Sequence, residues 1–242
     1  MIRFDFLSCM ILFLSLFINL NCHAEEKAKL IFEDDFERNE SQEEKDEIGN
    51  GWNSNSKSRA NGNKQVDLKD GAMYIKFHPS ADHAVSVTHP AEFTNGSVQL
   101  KFMLENKDDN LGLNFADLKF KEVHAGHLFM ARIGTSRVEL QDLKTGNMNL
   151  KTRELRLAKK LPKEKEEELK AKKKTIKNKL EAGKWHHLKV QVQGETMTLS
   201  INSKEVGEFT SEGIAHPTKR MLRLSVPKEA VVDEIKIYST GS

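Results

Sequence analysis

Gly183-Lys-Trp-His-His-Leu-Lys-Val-Gln-Val-Gln-Gly-Glu-Thr-Met-Thr-Leu-Ser-Ile201 alternates apolar and polar residues on both sides of a short turn. Leu188, Val190 and Val192 alternate with Lys189 and Gln191, Gly194 interrupts, and Met197, Leu199 and Ile201 then alternate with Thr198 and Ser200. A period of two on each side of a turn residue predicts a β-hairpin with one wet face and one buried face. A hairpin is not stable alone, so its apolar face needs more strands beside it and a second sheet over it. Short runs bounded by turn residues supply them at 30–32, 72–77, 85–88, 97–104, 111–115, 127–133 and 137–143 before the hairpin, and at 206–209, 221–226 and 231–238 after it. The reading is all-β, a two-sheet antiparallel sandwich.

At the start of the chain, Arg3 precedes an apolar run from Phe6 to Leu20 that ends at Cys22-His23-Ala24. This is the pattern of an export signal cleaved after Ala24, and the run is too short to span a bilayer, which takes about 20 apolar residues. Localisation is therefore expected to be periplasmic or secreted. Cys9 and Cys22 both lie within the signal, so residues 25–242 carry no thiol for a disulfide, a nucleophile or a cysteine metal site. They are read as one domain without a membrane span, and as a monomer.

A net charge of +2 hides an asymmetry. Residues 151–182 hold 13 Lys or Arg against 6 Glu, a net of +7. Pro162 suits a first helical turn, acids follow it and lysines come later, and Leu169, Ile176 and Leu180 make a thin apolar stripe. We read a charged helical insertion between two strands that gives few apolar residues to any core. Interleaved charges and the absence of aromatic residues favour a solvated helix over an arm for an anionic polymer, and no nucleic acid partner is expected.

Several short motifs, taken in order, resemble the concanavalin A-like lectin/glucanase jelly-roll superfamily. They are Phe32-Glu-Asp-Asp-Phe-Glu-Arg38, Gly51-Trp52, Asp70-Gly71-Ala72, Gly183-Lys-Trp185-His186, Gly213-Ile-Ala-His-Pro-Thr-Lys219 and Val232-Asp-Glu-Ile-Lys-Ile-Tyr238. Within the superfamily they are most similar to secreted 3-keto-disaccharide hydrolase-type and laminin-G-like domains. The resemblance implies a jelly-roll sandwich with neighbouring first and last strands, and a glycan or disaccharide as partner. It also implies a structural Ca²⁺ held by Asp34 or Asp35, a carbonyl near Gly71, and Asp233, since Ca²⁺ takes six to eight oxygens.

Glu33, Asp35 and Glu37 have the Glu-x-Asp-x-Glu spacing of laminarinase-type glycosidases, which on a strand puts three acids on one face. Their place on the first strand, with Asp34 where those enzymes carry an apolar residue, argues against that use. An enzyme acting on a 3-keto disaccharide would instead draw on Asp117, Glu139 or Asp142 for proton transfer. For carbohydrate binding the candidates are Trp52, His127 and Arg132, with Trp185 as a second aromatic platform. His124-Ala-Gly-His127 and His186-His187 lack a carboxylate at a metal-binding spacing and read as satisfied edge or core histidines. The sequence thus leaves three functions open: an exported glycan-binding domain, a glycoside or 3-keto-disaccharide hydrolase, and a cell-envelope scaffold that docks a partner on the insertion.

Overall fold

The structure, a computed structural model, describes residues 28–241, so the export signal expected at 1–24 lies outside the described residues. The chain runs through β1 (Lys29–Asp34), β2 (Asn53–Ser54), the short helix α1 (Ser56–Arg59), β3 (Val66–Lys69), β4 (Ala72–Lys76), β5 (Val85–Phe93) and β6 (Asn95–Met103). Then come β7 (Asn110–Ala116), β8 (His127–Gly134), β9 (Arg137–Asp142), α2 (Leu150–Leu157), α3 (Lys163–Ala171) and β10 (Lys173–Lys177). The chain closes with β11 (Trp185–Gln193), β12 (Thr196–Ile201), β13 (Lys204–Thr210), β14 (Lys219–Val226) and β15 (Glu229–Thr240).

Two antiparallel sheets result. The first has the order β13-β12-β11-β6-β15-β4-β3, with β1 also on β15, and the second β10-β9-β8-β7-β14-β5-β2. The decisive hairpin forms as read: Leu188 pairs with Ile201, Val190 with Leu199 and Val192 with Met197, and all six are buried. The opposite layer comes from the second sheet, where Val87, Leu224, Leu113, Ala131 and Leu140 are consecutive cross-strand partners and fully buried. Burial of such side chains is worth about 1.5–3 kcal/mol each and drives the two faces together. The first and last strands are neighbours, with Asp34 opposite Ile235.

The charged insertion departs from the reading. It is two short helices and an edge strand instead of one helix. Pro162 caps α3, whose first turn holds Glu164 and Glu166 and whose last holds Lys170, the expected order of charge. Then β10 adds to the edge of β9, Ile176 opposite Val138, and both Ile176 and Leu180 pack against the core. Lysines on an edge strand guard it against pairing with another chain, which accounts for a strand so rich in charge. The segment before α2 is also tied down: Val123 bridges Asn149, and the backbone N–H of Leu150 donates to the carbonyl of Glu122 at 3.0 Å. Among the described residues no helix is long and apolar enough to cross a membrane.

Candidate functional site

Strand alternation that sends Leu222 and Leu224 inward sends Arg223 and Ser225 outward, and the same rule on four neighbouring strands builds a polar outer face on the second sheet. Two cross-strand rows follow. One runs Thr88, Arg223, Asn114, Met130 and Gln141; the next runs Ser86, Ser225, Gly112, Arg132 and Glu139. Gly112 lowers the second row, since a methyl group there would meet Met130 Sδ at 3.2 Å and Ser225 Cβ at 3.3 Å. Over these rows lies a groove of about 500 Å³. Arg59 and His83 flank it on one side; His124, Met148 and Arg156 flank it on the other. The first helix of the insertion is therefore a wall of the groove.

The groove is cationic. Its lining includes Arg59, Arg132, Arg156 and Arg223 together with His83, His124 and His127, and no Asp or Glu. One guanidinium nitrogen of Arg223 lies 3.0 Å from Nδ1 and 3.1 Å from Nε2 of His127, and the other donates to the carbonyl of Ala125 at 3.2 Å. Burial, then the charges of Arg223 and His124, push His127 down to about 3, so its ring is neutral and accepts from the guanidinium. Burial and neighbouring arginines lower His124 as well. On the floor, the buried side-chain oxygen of Asn114 has no hydrogen-bond partner.

Of the sequence candidates, His127 and Arg132 stand in this groove. Trp52 is in the core, its indole N–H donating to Asp34 at 2.9 Å, and Trp185 is half-exposed on the other sheet. Glu139 is directly opposite Arg132, but its carboxylate faces Arg137 at 3.4 Å and accepts from Gln141 at 3.0 Å in an adjoining pocket. Asp142 is buried and accepts from the backbone and hydroxyl of Thr145, the hydroxyl of Ser211 and the backbone of Gly213. Asp117 is buried against His216 at 3.1 Å and Arg220 at 3.3 Å. The three acids thus occupy three separate environments. His186 is satisfied by Asn202 at 3.1 Å and the carbonyl of Glu181 at 3.2 Å. Arg223, Asn114 and Arg59 escaped the sequence reading, although an arginine between two buried leucines on an alternating strand marks an outward position.

The acids of the first strand serve structure. Asp34 accepts five bonds: from Arg38 at 2.6 and 2.9 Å, Asn50 at 3.0 Å, Trp52 at 2.9 Å and the backbone of Phe36 at 3.0 Å. Despite the opposing effect of burial, these hold its carboxyl below the usual range, and they leave no lone pair for a cation. β1 ends at Asp34 and Phe36 has φ 55°, so Glu33, Asp35 and Glu37 do not share a strand face. Glu37 turns back instead, so close to Gly71 that a methyl group there would strike it. Asp233 lies near Glu37, and burial with the charges of Glu234 and Glu37 raises its pKa. Lys101 stands opposite Asp233 and pairs with Glu234 at 2.5 Å, which offsets part of the negative charge around Asp233 and Gly71, two of the expected Ca²⁺ ligands. Among the described residues no group of three or more His, Cys, Asp or Glu is placed to hold a metal, so such a site would rest largely on carbonyls.

A family model, the 3-keto-alpha-glucoside-1,2-lyase-like domain, matches residues 43–237. Among curated proteins no sequence matches. Solved structures share the fold at low identity. The laminarinase from Rhodothermus marinus has a TM-score of 0.58 at 10% identity, over 89% of this chain and 99% of that one. A non-specific endo-beta-1,3(4)-glucanase of family GH16 gives 0.56 at 12%, over 88% and 92%. The carbohydrate binding module CBM66 from Bacillus subtilis gives 0.51 at 11%, over 79% and 96%.

Proposed function

The chain belongs to the 3-keto-alpha-glucoside-1,2-lyase-like family, and from this we propose that it is a saccharide-binding domain whose site is the groove on the outer face of the second sheet. One observation carries this reading: the groove offers hydrogen-bonding side chains on a rigid five-strand floor and holds no carboxylate. Hydrolysis by two carboxylates needs an acid and a base or nucleophile roughly 5 to 10 Å apart across a cleft, so binding fits this lining better.

An enzymatic reading is favoured by the family's own description. A 1,2-lyase acting on a 3-keto glucoside removes the hydrogen at C2, acidified by the adjacent ketone; the C1–C2 double bond forms, the C1–O bond breaks and the leaving oxygen takes a proton. His124 is an exposed base of the groove, as is His83, and Arg223 could stabilise the enolate charge. Hydrolysis of such a disaccharide is the net result if water then adds. The third reading, a scaffold docking a partner on the insertion, is less well supported because α2 already walls the groove.

Export to the periplasm or beyond, a monomeric state and a structural Ca²⁺ at Asp233 and Gly71 belong to the same proposal. The signal pattern supports the first, and the raised carboxyl of Asp233, partly buried near Glu37 and only partly offset by Lys101, supports the last. A glycan array run beside a 3-keto-disaccharide cleavage assay tests the main reading. Binding without turnover supports the module, turnover abolished by His124→Ala supports the lyase, and neither signal rejects both.

A further inference from the structure

We infer that the groove takes an anionic saccharide, one bearing a carboxylate or a sulfate ester, with the acidic group held by Arg223 and Arg132. This rests on the groove being the saccharide site, and it adds the charge of the ligand.

Three observations lead there. First, the central cations of the groove have no counter-charge within it, although Arg132 also borders the adjoining pocket of Asp108, Asp109 and Glu139. Among the described residues Arg59 pairs with Asp82 at 3.3 Å on the exposed surface, while Arg132, Arg156 and Arg223 form no ion pair. Arg223 is half-buried and spends its donors on a neutral imidazole and one carbonyl. A guanidinium so withdrawn from water is costly unless an anion completes it, and its planar fork suits a carboxylate or sulfate. His127, pushed down to about 3 by burial first and then by Arg223 and His124, is neutral and adds no counter-charge.

Second, the lining has no Trp, Tyr or Phe. Neutral pyranoses are commonly gripped by stacking on an aromatic face, and single-stranded nucleic acid is too. Neither grip is available, so recognition falls to charge and hydrogen bonds. Third, Asn114 sits between the two arginine-bearing strands, and its buried oxygen is an acceptor without a donor. A sugar hydroxyl supplies that donor, which an inorganic anion without a protonated oxygen, such as sulfate, cannot. Arg223 on β14 and Arg132 on β8 lie two strands and two residues apart, about 12 Å between backbones at ordinary strand spacing, a gap that two side chains as long as arginine can close on one acidic group.

Calorimetric titration of the full chain tests this with two matched pairs: a galacturonate trisaccharide against its carboxyl-reduced form, and a sulfated galactan tetrasaccharide against its desulfated form. An oligothymidylate serves as a non-saccharide polyanion. At least one acidic sugar is expected to bind tenfold or more tightly than its neutral match, with Arg223→Gln and Arg132→Gln each lowering that affinity about tenfold or more. Lys189→Gln, on the other sheet, should leave it unchanged, and unfolding curves confirm that each variant is folded. Preference for the uronate or for the sulfate identifies the acidic group, and either supports the inference. Equal binding of acidic and neutral sugars, insensitive to the arginines, overturns it while leaving the saccharide site intact. Oligothymidylate bound as tightly as the acidic sugar overturns it in favour of a general polyanion surface, and no binding by any sugar rejects the saccharide site as well.

Discussion

Arg223 reaches from the centre of β14 to the first residue of β8 and sets one guanidinium nitrogen 3.0 Å from Nδ1 and 3.1 Å from Nε2 of His127. Burial is the first cause of the imidazole's neutrality, and the contact adds to it because a second cation at that distance is repelled. With burial it keeps the groove's central histidine neutral across the physiological range.

This has a consequence for stability against pH. The folded-state pKa of His127 lies below the unfolded value near 6.5, so its contribution is complete above that value and is lost as pH falls toward about 3. His89, His124 and His216 are lowered too and act in the same direction. Each group adds a slope of at most about 1.4 kcal/mol per pH unit where the unfolded chain binds the extra proton. The urea midpoint should therefore hold steady between about pH 7 and 8, above which buried Lys219, pushed down to about 8, adds a rising slope, and fall between pH 6.5 and 4, less steeply in His127→Gln. Parallel profiles for the two proteins would assign the slope to other groups.

The insertion should divide into a dispensable part and an essential one. α3 buries no residue fully, so excising 160–171 and closing with a short turn should cost under about 1 kcal/mol. Excising 153–178 also removes β10, uncovers the edge of β9 and takes Ile176 from the core. That protein is expected to lose about 2–4 kcal/mol, in the range of a buried aliphatic side chain, and to aggregate through the freed edge. Denaturant titrations of the two deletions, with light scattering, decide the matter; equal stability would mean that β10 is only an ornament of the sheet.

How much of this was legible depends on the range over which each feature is encoded. The hairpin at 185–201 could be read because its pairing is local and both strands bury one face. β10 was hidden because an edge strand needs only one inward apolar residue, here Ile176, and its lysines look helical when read with the residues before them. The groove was mostly invisible. Arg59, Asn114, Arg132, Arg156 and Arg223 come from five separate segments and meet only through strand order, which no local period encodes. His127 and Arg132 were found as polar members of a strand; Trp52, chosen for its aromatic face, is in the core because Asp34 takes its N–H.

Gly213→Ala tests the closure between β9 and the loop before β14. A methyl group on Gly213 would strike the carboxylate of Asp142, which four donors hold in place. The carboxylate cannot yield without breaking those bonds, so about 2–4 kcal/mol of destabilisation is expected from overpacking and lost hydrogen bonds together. Adding Asp142→Ala to Gly213→Ala should then cost much less than the sum of the two single changes. Strict additivity in that double-mutant cycle would show that the two residues do not clash.

Asp34 and Asp233 stand near one another on paired terminal strands, yet their environments call for opposite partners. Asp34 is ringed by N–H donors including the Arg38 guanidinium, so Asp34→Asn turns an amide group toward donors and should cost about 3 kcal/mol with or without added metal. Asp233 has its carboxyl raised by burial and by Glu234 and Glu37, an effect that Lys101 opposite it only partly offsets. A divalent cation there would relieve that repulsion, bind the folded chain and not the unfolded one, and stabilise it by about 2.7 kcal/mol at a hundredfold excess over the dissociation constant. Thermal unfolding in excess calcium and in chelator should thus separate the variants: Asp34→Asn melts lower but keeps the calcium response, while Asp233→Asn loses it. If calcium fails to move the wild-type curve, the crowded acids are tolerated by solvent alone and no cation belongs there; if Asp34→Asn abolishes the response, Asp34 is a ligand after all and its ring of donors must open on binding.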